Sequence, residues 1–401
     1  MKIGIEVQRL FRKKRFGIES SSLELIKALR EAEPGFEFVV FAKDDENRRL
    51  EPSENLRIRT LNGKLFVDFE QFFLPLAARK ERIDLLHCTG NTTPYFCPVP
   101  IVQTLHDVIF MDTIPSDDSW YQRFGNLYRR KVVPLVSPRS KCVITVSEYE
   151  KQRILQRINI QPEKIHVVYN GINPKRFHAH HSLARQYEVR HKYGLPDDFI
   201  LFLGNASSRK NPGRVLESYA RYVAQAEKPL RMVTPGLSRH FIDEKLAVAK
   251  INLPSELFIT PGYIDDEDLS VLYSLATMFL FPSLSEGFGM PIVEAMASGA
   301  PVITSAVSAM PEIAGDAALL VDPLDSQEMA DAMLQLTRDA SLRQQLRDAG
   351  FRNAARFSWQ NAAAKVLNLY ETVYAEAVAP RKEHSWFMRH WSHAFMLRPW
   401  K

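Results

Sequence analysis

The chain has 401 residues, of which 45% are hydrophobic and 25% charged, the balance of an ordinary globular protein with room for two or three domains. No apolar run approaches the roughly 20 residues needed to span a bilayer, and MKIGIEV enters a strand pattern directly, which argues against a signal peptide. The net charge of +5 is uneven: a basic N-terminal half and a basic tail flank an acidic middle, so the basic parts either face an anionic partner surface or carry ordinary solvated charge.

Cys88, Cys97 and Cys142 form no metal or CxxC spacing and read as reduced, mostly buried thiols of a cytosolic protein. Strand candidates in the first half are Lys2–Val7, Phe36–Phe41, Leu56–Leu61, Ile83–His87, Ile101–Thr104, Cys142–Val146 and His166–Tyr169. The second half repeats the style with Phe199–Leu203, Leu230–Thr234, Leu257–Thr260, Met278–Phe281, Pro301–Thr304 and Ala318–Val321. Helical patterns such as Ser20–Ala32 lie between them. Such alternation implies βαβ units, parallel sheets and two doubly wound α/β domains. The boundary falls in Phe177–Asp198, a polar stretch without strand character. Ligands of open α/β sheets bind beyond the carboxyl ends of the strands, which places the site in the cleft between the domains.

The loop Gln8–Ile18 follows the first strand and precedes a helix that Ser20, Ser21 or Ser22 could cap. Gly17 would let the backbone approach a phosphate, but GxGxxG is absent and a nicotinamide site is poorly supported. Arg9, Arg12, Lys13, Lys14 and Arg15 meet an anionic acceptor or lipid headgroups, or belong to a mobile basic loop. Residues 64–82 place aromatic and aliphatic side chains beside Arg79, Lys80 and Arg82, a membrane-touching helix or a core stripe. His106, at the carboxyl end of a strand, is placed for hydrogen bonding to a sugar or for proton handling, although a lone His is usually structural. Ser147 reads as a helix cap.

In the second domain, Gly204–Asn211 is a small-residue loop after its first strand. Arg209 offers a planar fork and Lys210 a point charge for phosphate oxygens, enough to neutralise a diphosphate without a metal. Asp266 and Asp268 have a DxD spacing, but the acidic run Asp265–Asp268 reads better as the N-terminal cap of the helix Leu269–Ser274. The stretch 281–305, FPSLSEGFGMPIVEAMASGAPVITS, is a strand, a glycine loop and a short helix. Pro291 suits the helix start and Gly299 its end. Free backbone N–H groups and the positive end of the helix dipole make an anion cradle. Glu286 and Glu294 stand beside it, which suits a ligand with both phosphate and hydroxyl groups. The tail is basic and aromatic, with Trp386, Trp391 and Trp400, and fits a membrane interface or docks on the other domain.

Four segments resemble glycosyltransferase family 4: His106-Asp107, Tyr169–Asn173, Gly204–Asn211 and Ser285–Val302. The resemblance spans roughly residues 1–378 and implies the GT-B fold, two Rossmann-like domains facing across a cleft. It implies an acceptor-side domain at 1–178 and a nucleotide-sugar domain at 179–360. A helix at 361–378 would pack back on the first domain, with a tail at 379–401. Members are retaining, metal-independent transferases, so no cofactor or metal is expected beyond a UDP-sugar or GDP-mannose donor. By position, Arg209 and Lys210 would bind the diphosphate and Glu286 the sugar hydroxyls. Phe288 and Gly289, with Met290 behind them, would offer backbone N–H groups, and Glu294 would hold the ribose. Tyr263 and Ile264 would lie near the base, His106 near the transferred sugar, and Gly17 near the phosphates from the other domain. Asn205 departs from the family, some of whose members have Arg after the glycine.

The resemblance implies a hexosyltransferase of cell-surface polysaccharide synthesis with a mannose, glucose or galactose type donor. The expected partners are a lipid-linked glycan acceptor and an anionic membrane surface, with no nucleic acid, and the place is cytoplasmic or peripheral on the inner face of the plasma membrane. A nucleotide-sugar epimerase and a non-catalytic carbohydrate-binding protein are the alternatives; intact Glu286, Glu294, Arg209 and Lys210 argue against the second.

Overall fold

A computed structural model describes residues 1–11, 17–32, 35–44, 50–63, 65–112 and 120–378. The expectations for Arg12, Lys13, Lys14 and Arg15 and for the tail lie outside these residues.

Each expected strand forms. The first seven are β1 (Lys2–Glu6), β2 (Glu37–Ala42), β3 (Leu56–Thr60), β4 (Leu85–Cys88), β5 (Ile101–Thr104), β6 (Cys142–Thr145) and β7 (Ile165–Val167). They make one sheet in the order β3-β2-β1-β4-β5-β6-β7. The next six are β8 (Phe199–Phe202), β9 (Arg231–Val233), β10 (Phe258–Ile259), β11 (Met278–Phe281), β12 (Val302–Ser305) and β13 (Ala318–Val321). These make a second sheet, β10-β9-β8-β11-β12-β13. All pairings are parallel; Ile3, for example, stands beside Phe38 and Leu85. Central strands are covered on both faces, so they read as unbroken apolar runs, and β4 and β11 are buried throughout.

Each sheet reverses its strand order once, between β1 and β4 and between β8 and β11. Loops diverge from such a point to opposite faces and leave a crevice at the carboxyl ends. The molecule therefore has two crevices, one per sheet.

The chain passes between the domains twice, and the two passages touch. The Ile172 N–H donates to Phe357 O at 3.0 Å, and Ile172 forms a bridge with Ser358. A Cβ on Gly171 would stand 2.2 Å from the Trp359 nitrogen, so only glycine fits there. The final helix, Trp359–Val378, returns to the first domain. Trp359, Ala363, Val366 and Tyr370 pack into a core with Ile3, Ile5 and Phe38. Tyr370 Oη lies 2.6 Å from His87 Nδ1, and Thr104 Oγ1 lies 2.7 Å from Nε2 of the same ring.

The polar stretch Phe177–Asp198 forms no strand, as expected, and holds the helix Leu183–Tyr193, capped by Ser182 and stopped by left-handed Gly194. Two local expectations need correction. Asp268 occupies the N-cap position of Leu269–Leu275 without capping it. Its carboxylate is instead taken by Arg185, by Lys192 at 2.7 Å and by Tyr193 Oη at 2.7 Å, donors on the neighbouring helix. No serine caps the first helix, Gly17–Ala32, because it begins before them; Ser22 Oγ lies 2.9 Å from Ile18 O, in the preceding turn.

The stretch after residue 64 divides its aromatic residues. Phe69, Leu74 and Ala78 enter the core, while Phe72, Phe73 and Leu76 are exposed. Among the described residues no helix is long and apolar enough to cross a membrane. Cys88 and Cys142 are buried free thiols and Cys97 is half-buried.

Candidate active site

The second sheet's crevice brings Gly204–Asn211 against Ser283–Met290. Glu286 is the joint between them. Its Oε1 accepts from Lys210 Nζ at 2.7 Å and from Ser283 Oγ at 2.7 Å, and its Oε2 meets an Arg209 guanidinium nitrogen at 2.6 Å. Burial pushes the Glu286 carboxyl up, but Lys210 and Arg209 outweigh it and hold the group below its ordinary value. Burial conversely lowers Lys210, against the pull of Glu286. Ser308 fixes the loop: its Oγ accepts from the Glu286 N–H at 3.0 Å and donates to Glu286 O at 2.8 Å. The Lys210 ammonium sits 4.4 Å from the centre of the Phe281 ring, a favourable cation–π contact.

Local conformation explains why these residues converge. Asn211 adopts a left-handed backbone, and its amide donates to Pro323 O at 2.6 Å and Pro282 O at 3.3 Å, tying the cationic loop to β11. Asn205 holds the other end of the loop, its side chain accepting from the Ser207 N–H at 3.0 Å. Gly289 has φ of 95°, where a side chain would be strained, and turns the chain into the helix Met290–Ala297. The N–H groups of Gly287, Phe288, Gly289 and Met290 donate to no acceptor among the described residues. Together with the helix dipole, they form an open anion cradle. Phe288 is buried against Tyr169 and Phe357 at the hinge, so it contributes backbone, not ring, to the crevice.

Glu294 lies one turn into that helix. Tyr273 Oη donates to it at 3.3 Å, and burial pushes its carboxyl up to about 7 despite the nearby Arg176. Ile264 is buried and Tyr263 is exposed, following left-handed Gly262.

The first domain closes on this loop. A Cβ on Gly287 would stand 2.4 Å from His106 O, so glycine is what allows the two domains to touch. Ser147 caps its helix by accepting from the Glu150 N–H, and it also donates to Gly287 O at 2.7 Å. Glu312 accepts from the Glu148 and Tyr149 N–H groups at 2.8 and 2.9 Å, binding the N-terminus of that helix across the cleft.

His106 is buried. Its Nε2 donates to Thr89 O at 3.0 Å, and its backbone N–H donates to Asn91 Oδ1 at 2.7 Å. That tautomer leaves Nδ1 as an acceptor. Burial lowers the ring to about 4, so it is neutral at pH 7. Of the two expected roles, the geometry favours a hydrogen-bond acceptor for a sugar hydroxyl over proton handling. Gly17 starts its helix at the surface, with nothing within 4 Å of a Cβ built on it.

The structure thus joins Arg209, Lys210, Glu286, Gly289 and His106 around one cleft. Sequence reasoning missed Asn91, Ser308 and Glu312 and gave Asn211 no role of its own. Single polar side chains give no periodic signal, and their partners are distant in the chain.

Residues 186–353 match the family described as Glycosyl transferases group 1, and residues 17–176 match Glycosyltransferase Family 4. The chain is 30% identical over 272 residues to the O-antigen chain mannosyltransferase B of Escherichia coli, covering 67% of this chain and 70% of that protein. It is 30% identical over 322 residues to the MMP alpha-(1->4)-mannosyltransferase of Mycolicibacterium hassiacum, covering 76% and 74%. It spans only 29% of the length of the serotype-specific mannosyltransferase WbdA of E. coli. Among solved structures, sucrose-phosphate synthase of Thermosynechococcus elongatus superimposes with a TM-score of 0.72 at 20% identity, covering 94% of this chain and 99% of that one. Anabaena HepE, solved with UDP and glucose, gives 0.69 at 18% identity, covering 93% and 100%.

Proposed function

Because the chain belongs to glycosyltransferase family 4 and is a hexosyltransferase, we propose that it transfers mannose from a nucleotide-activated donor to a glycan acceptor, with retention and without a metal. The observation that carries the donor assignment is the Glu286 carboxylate held between Arg209 and Lys210, in the same loop as four N–H groups without acceptors among the described residues.

The chemistry follows from charge. A sugar diphosphate leaves with growing negative charge on its oxygens. Arg209, Lys210 and the cradle at Gly287–Met290 stabilise that charge in a site from which the closed domains exclude water. Glu286, already ionised and anchored, accepts hydrogen bonds from donor hydroxyls. Glu294, with burial raising its proton affinity, accepts from or donates to the ribose. Among the described residues no side chain is placed as an obvious nucleophile, which favours departure and attack on one face, with the acceptor proton passing to the leaving phosphate. The mannose assignment rests on relatives that are named mannosyltransferases.

The membrane reading rests on exposed Phe72, Leu76 and Phe96 together with exposed Arg79 and Lys80 on the first domain. Apolar anchors among cations suit an anionic leaflet and a lipid-linked acceptor.

Calorimetry against GDP-mannose, UDP-glucose and UDP-galactose tests the donor. Binding of none of them would remove the assignment. The linkage of the product, read by NMR, decides retention: inversion at the anomeric carbon would refute the same-face mechanism.

A further inference from the structure

Glu312 belongs to the second domain, in the short helix Met310–Ala314. Yet every donor that its carboxylate meets among the described residues lies on the first domain. One carboxylate oxygen accepts from the Glu148 N–H at 2.8 Å and the other from the Tyr149 N–H at 2.9 Å. These N–H groups open the helix Glu148–Arg157, and the next one, on Glu150, donates to Ser147 Oγ at 3.1 Å. First-turn N–H groups have no partner inside their own helix, and the positive end of the dipole favours an anion there. A two-pronged carboxylate is therefore a strong and directional match. Tyr169 adds a third donor. Burial, with the hydrogen bond to Glu312 adding to it, pushes the Tyr169 hydroxyl up to about 12, which keeps the proton on its oxygen.

The two sides of this contact lead to the two halves of the cleft. In the second domain, Ala309, Met310 and Ile313 are fully buried, so the segment that carries Glu312 is fixed in the core. Just before it stands Ser308, whose Oγ holds both the N–H and the C=O of Glu286. In the first domain, the helix that Glu312 grips carries Glu150, whose side chain is fully buried. Glu150 Oε1 accepts from the Val108 N–H at 2.6 Å, directly after His106-Asp107. Buried chain and hydrogen bonds thus run without a break from Glu286 through Ser308, Glu312, Glu150 and Val108 to His106.

Such a link has a use that neither domain supplies alone. His106 and Glu286 belong to different sheets, so each is fixed within its own domain but not against the other. The packing of Gly287 on His106 O limits how near the domains come. It does not set their angle, because van der Waals contact has little direction. The paired bonds of Glu312 do have direction, and misplacing reacting groups by about an ångström costs on the order of a hundredfold in rate.

We propose that Glu312 is a positioning residue of the transfer reaction. It touches neither sugar nor phosphate; by capping the helix Glu148–Arg157 across the cleft, it holds the His106-Asp107 step in register with Glu286. The inference rests on the reading of this cleft as the site of transfer and adds to it a residue outside the donor loops.

The test uses the full chain. Glu312→Ala removes both backbone bonds, whereas Glu312→Gln keeps the shape and one acceptor oxygen. Glu312→Ala lowers kcat about a hundredfold, and Glu312→Gln about tenfold, the loss of one good hydrogen bond. The affinity for GDP or UDP, by calorimetry, stays within about twofold in both, because the nucleotide is held within the second domain. Hydrogen exchange followed by mass spectrometry, without substrate, gives an independent readout: peptides covering His106–Ile109 exchange about tenfold faster in Glu312→Ala, while those covering Met278–Phe281 do not change. An acid with a merely structural role would lower the melting temperature and leave kcat intact well below it. The proposal is overturned if Glu312→Ala keeps kcat within about twofold of wild type, or if His106–Ile109 exchanges as in wild type. Glu312→Gln decides by the same two readouts if Glu312→Ala does not fold. Failure of wild type to bind either nucleotide would sink the donor assignment instead, and the exchange of His106–Ile109 would still decide this inference.

Discussion

At the scale of single residues, the crevice of the second sheet is governed by one carboxylate that organises two cations. Lys210 and Glu286 are both mostly buried and share a 2.7 Å contact. On the proposed mechanism Lys210→Ala removes a charge that balances the departing diphosphate, and should cut kcat by at least about a hundredfold, the effect of losing one preorganised donor. Arg209 remains to compensate Glu286, so the melting temperature should fall by only a few degrees. Steady-state kinetics beside a thermal melt decide it: near-normal turnover in this variant removes Lys210 from the mechanism. Gly287→Ala is a complementary case. Its methyl group meets His106 O at 2.4 Å, so the domains cannot close as they do here, and transfer should fall while nucleotide affinity, set within the second domain, stays near wild type. Equal transfer by the variant would show that this contact is not needed.

At the scale of elements, the final helix is the clearest case of a segment held by a few specific contacts. Tyr370 buries its ring and pairs with His87 Nδ1 on β4. Tyr370→Phe keeps the ring but leaves the imidazole nitrogen unpaired, and should cost about 1–3 kcal/mol in denaturant unfolding. A change below half of that would mean water replaces the hydroxyl. His87 also predicts a pH effect. Burial depresses its pKa to about 3, below the ordinary 6.5, so the folded state holds it neutral while the unfolded state binds a proton. Its contribution is complete above about pH 6.5 and is lost as pH falls toward 3. His87→Gln should flatten the acid limb of the stability profile, measured as unfolding free energy between these two pH values; an unchanged acid limb would remove His87 as its cause.

At the scale of the whole molecule, two open sheets each present a crevice at the reversal of strand order, and the two face each other across contacts made by Gly287, Ser147 and Glu312. The hinge is the paired passage at Gly171–Ile172 and Phe357–Trp359. Gly171→Ala forces a methyl group to 2.2 Å from the Trp359 nitrogen. It should weaken both the domain pairing and the docking of the final helix, and so lower the melting temperature more than Lys210→Ala does. The reverse order would show that the hinge yields without strain.

The sequence by itself determined the architecture, because parallel strands covered on both faces need unbroken apolar runs such as Met278–Phe281, and no other pattern satisfies that burial. It also marked the candidate site of the second sheet, since Arg209, Lys210, Glu286, Gly289 and Glu294 lie in two short segments whose glycines and charges are local signals. Local rules misread Asp268, because a helix cap competes with Lys192, Arg185 and Tyr193 from a helix that only folding brings near. They left His106 undecided between two roles, and burial adds only that the ring is neutral. The pairing of Glu286 with both cations and the clasp of Ser147 on Gly287 were decided by tertiary structure alone. Each joins residues dozens to more than a hundred positions apart, and the free energy of such contacts depends on burial and distance, which spacing along a chain does not encode.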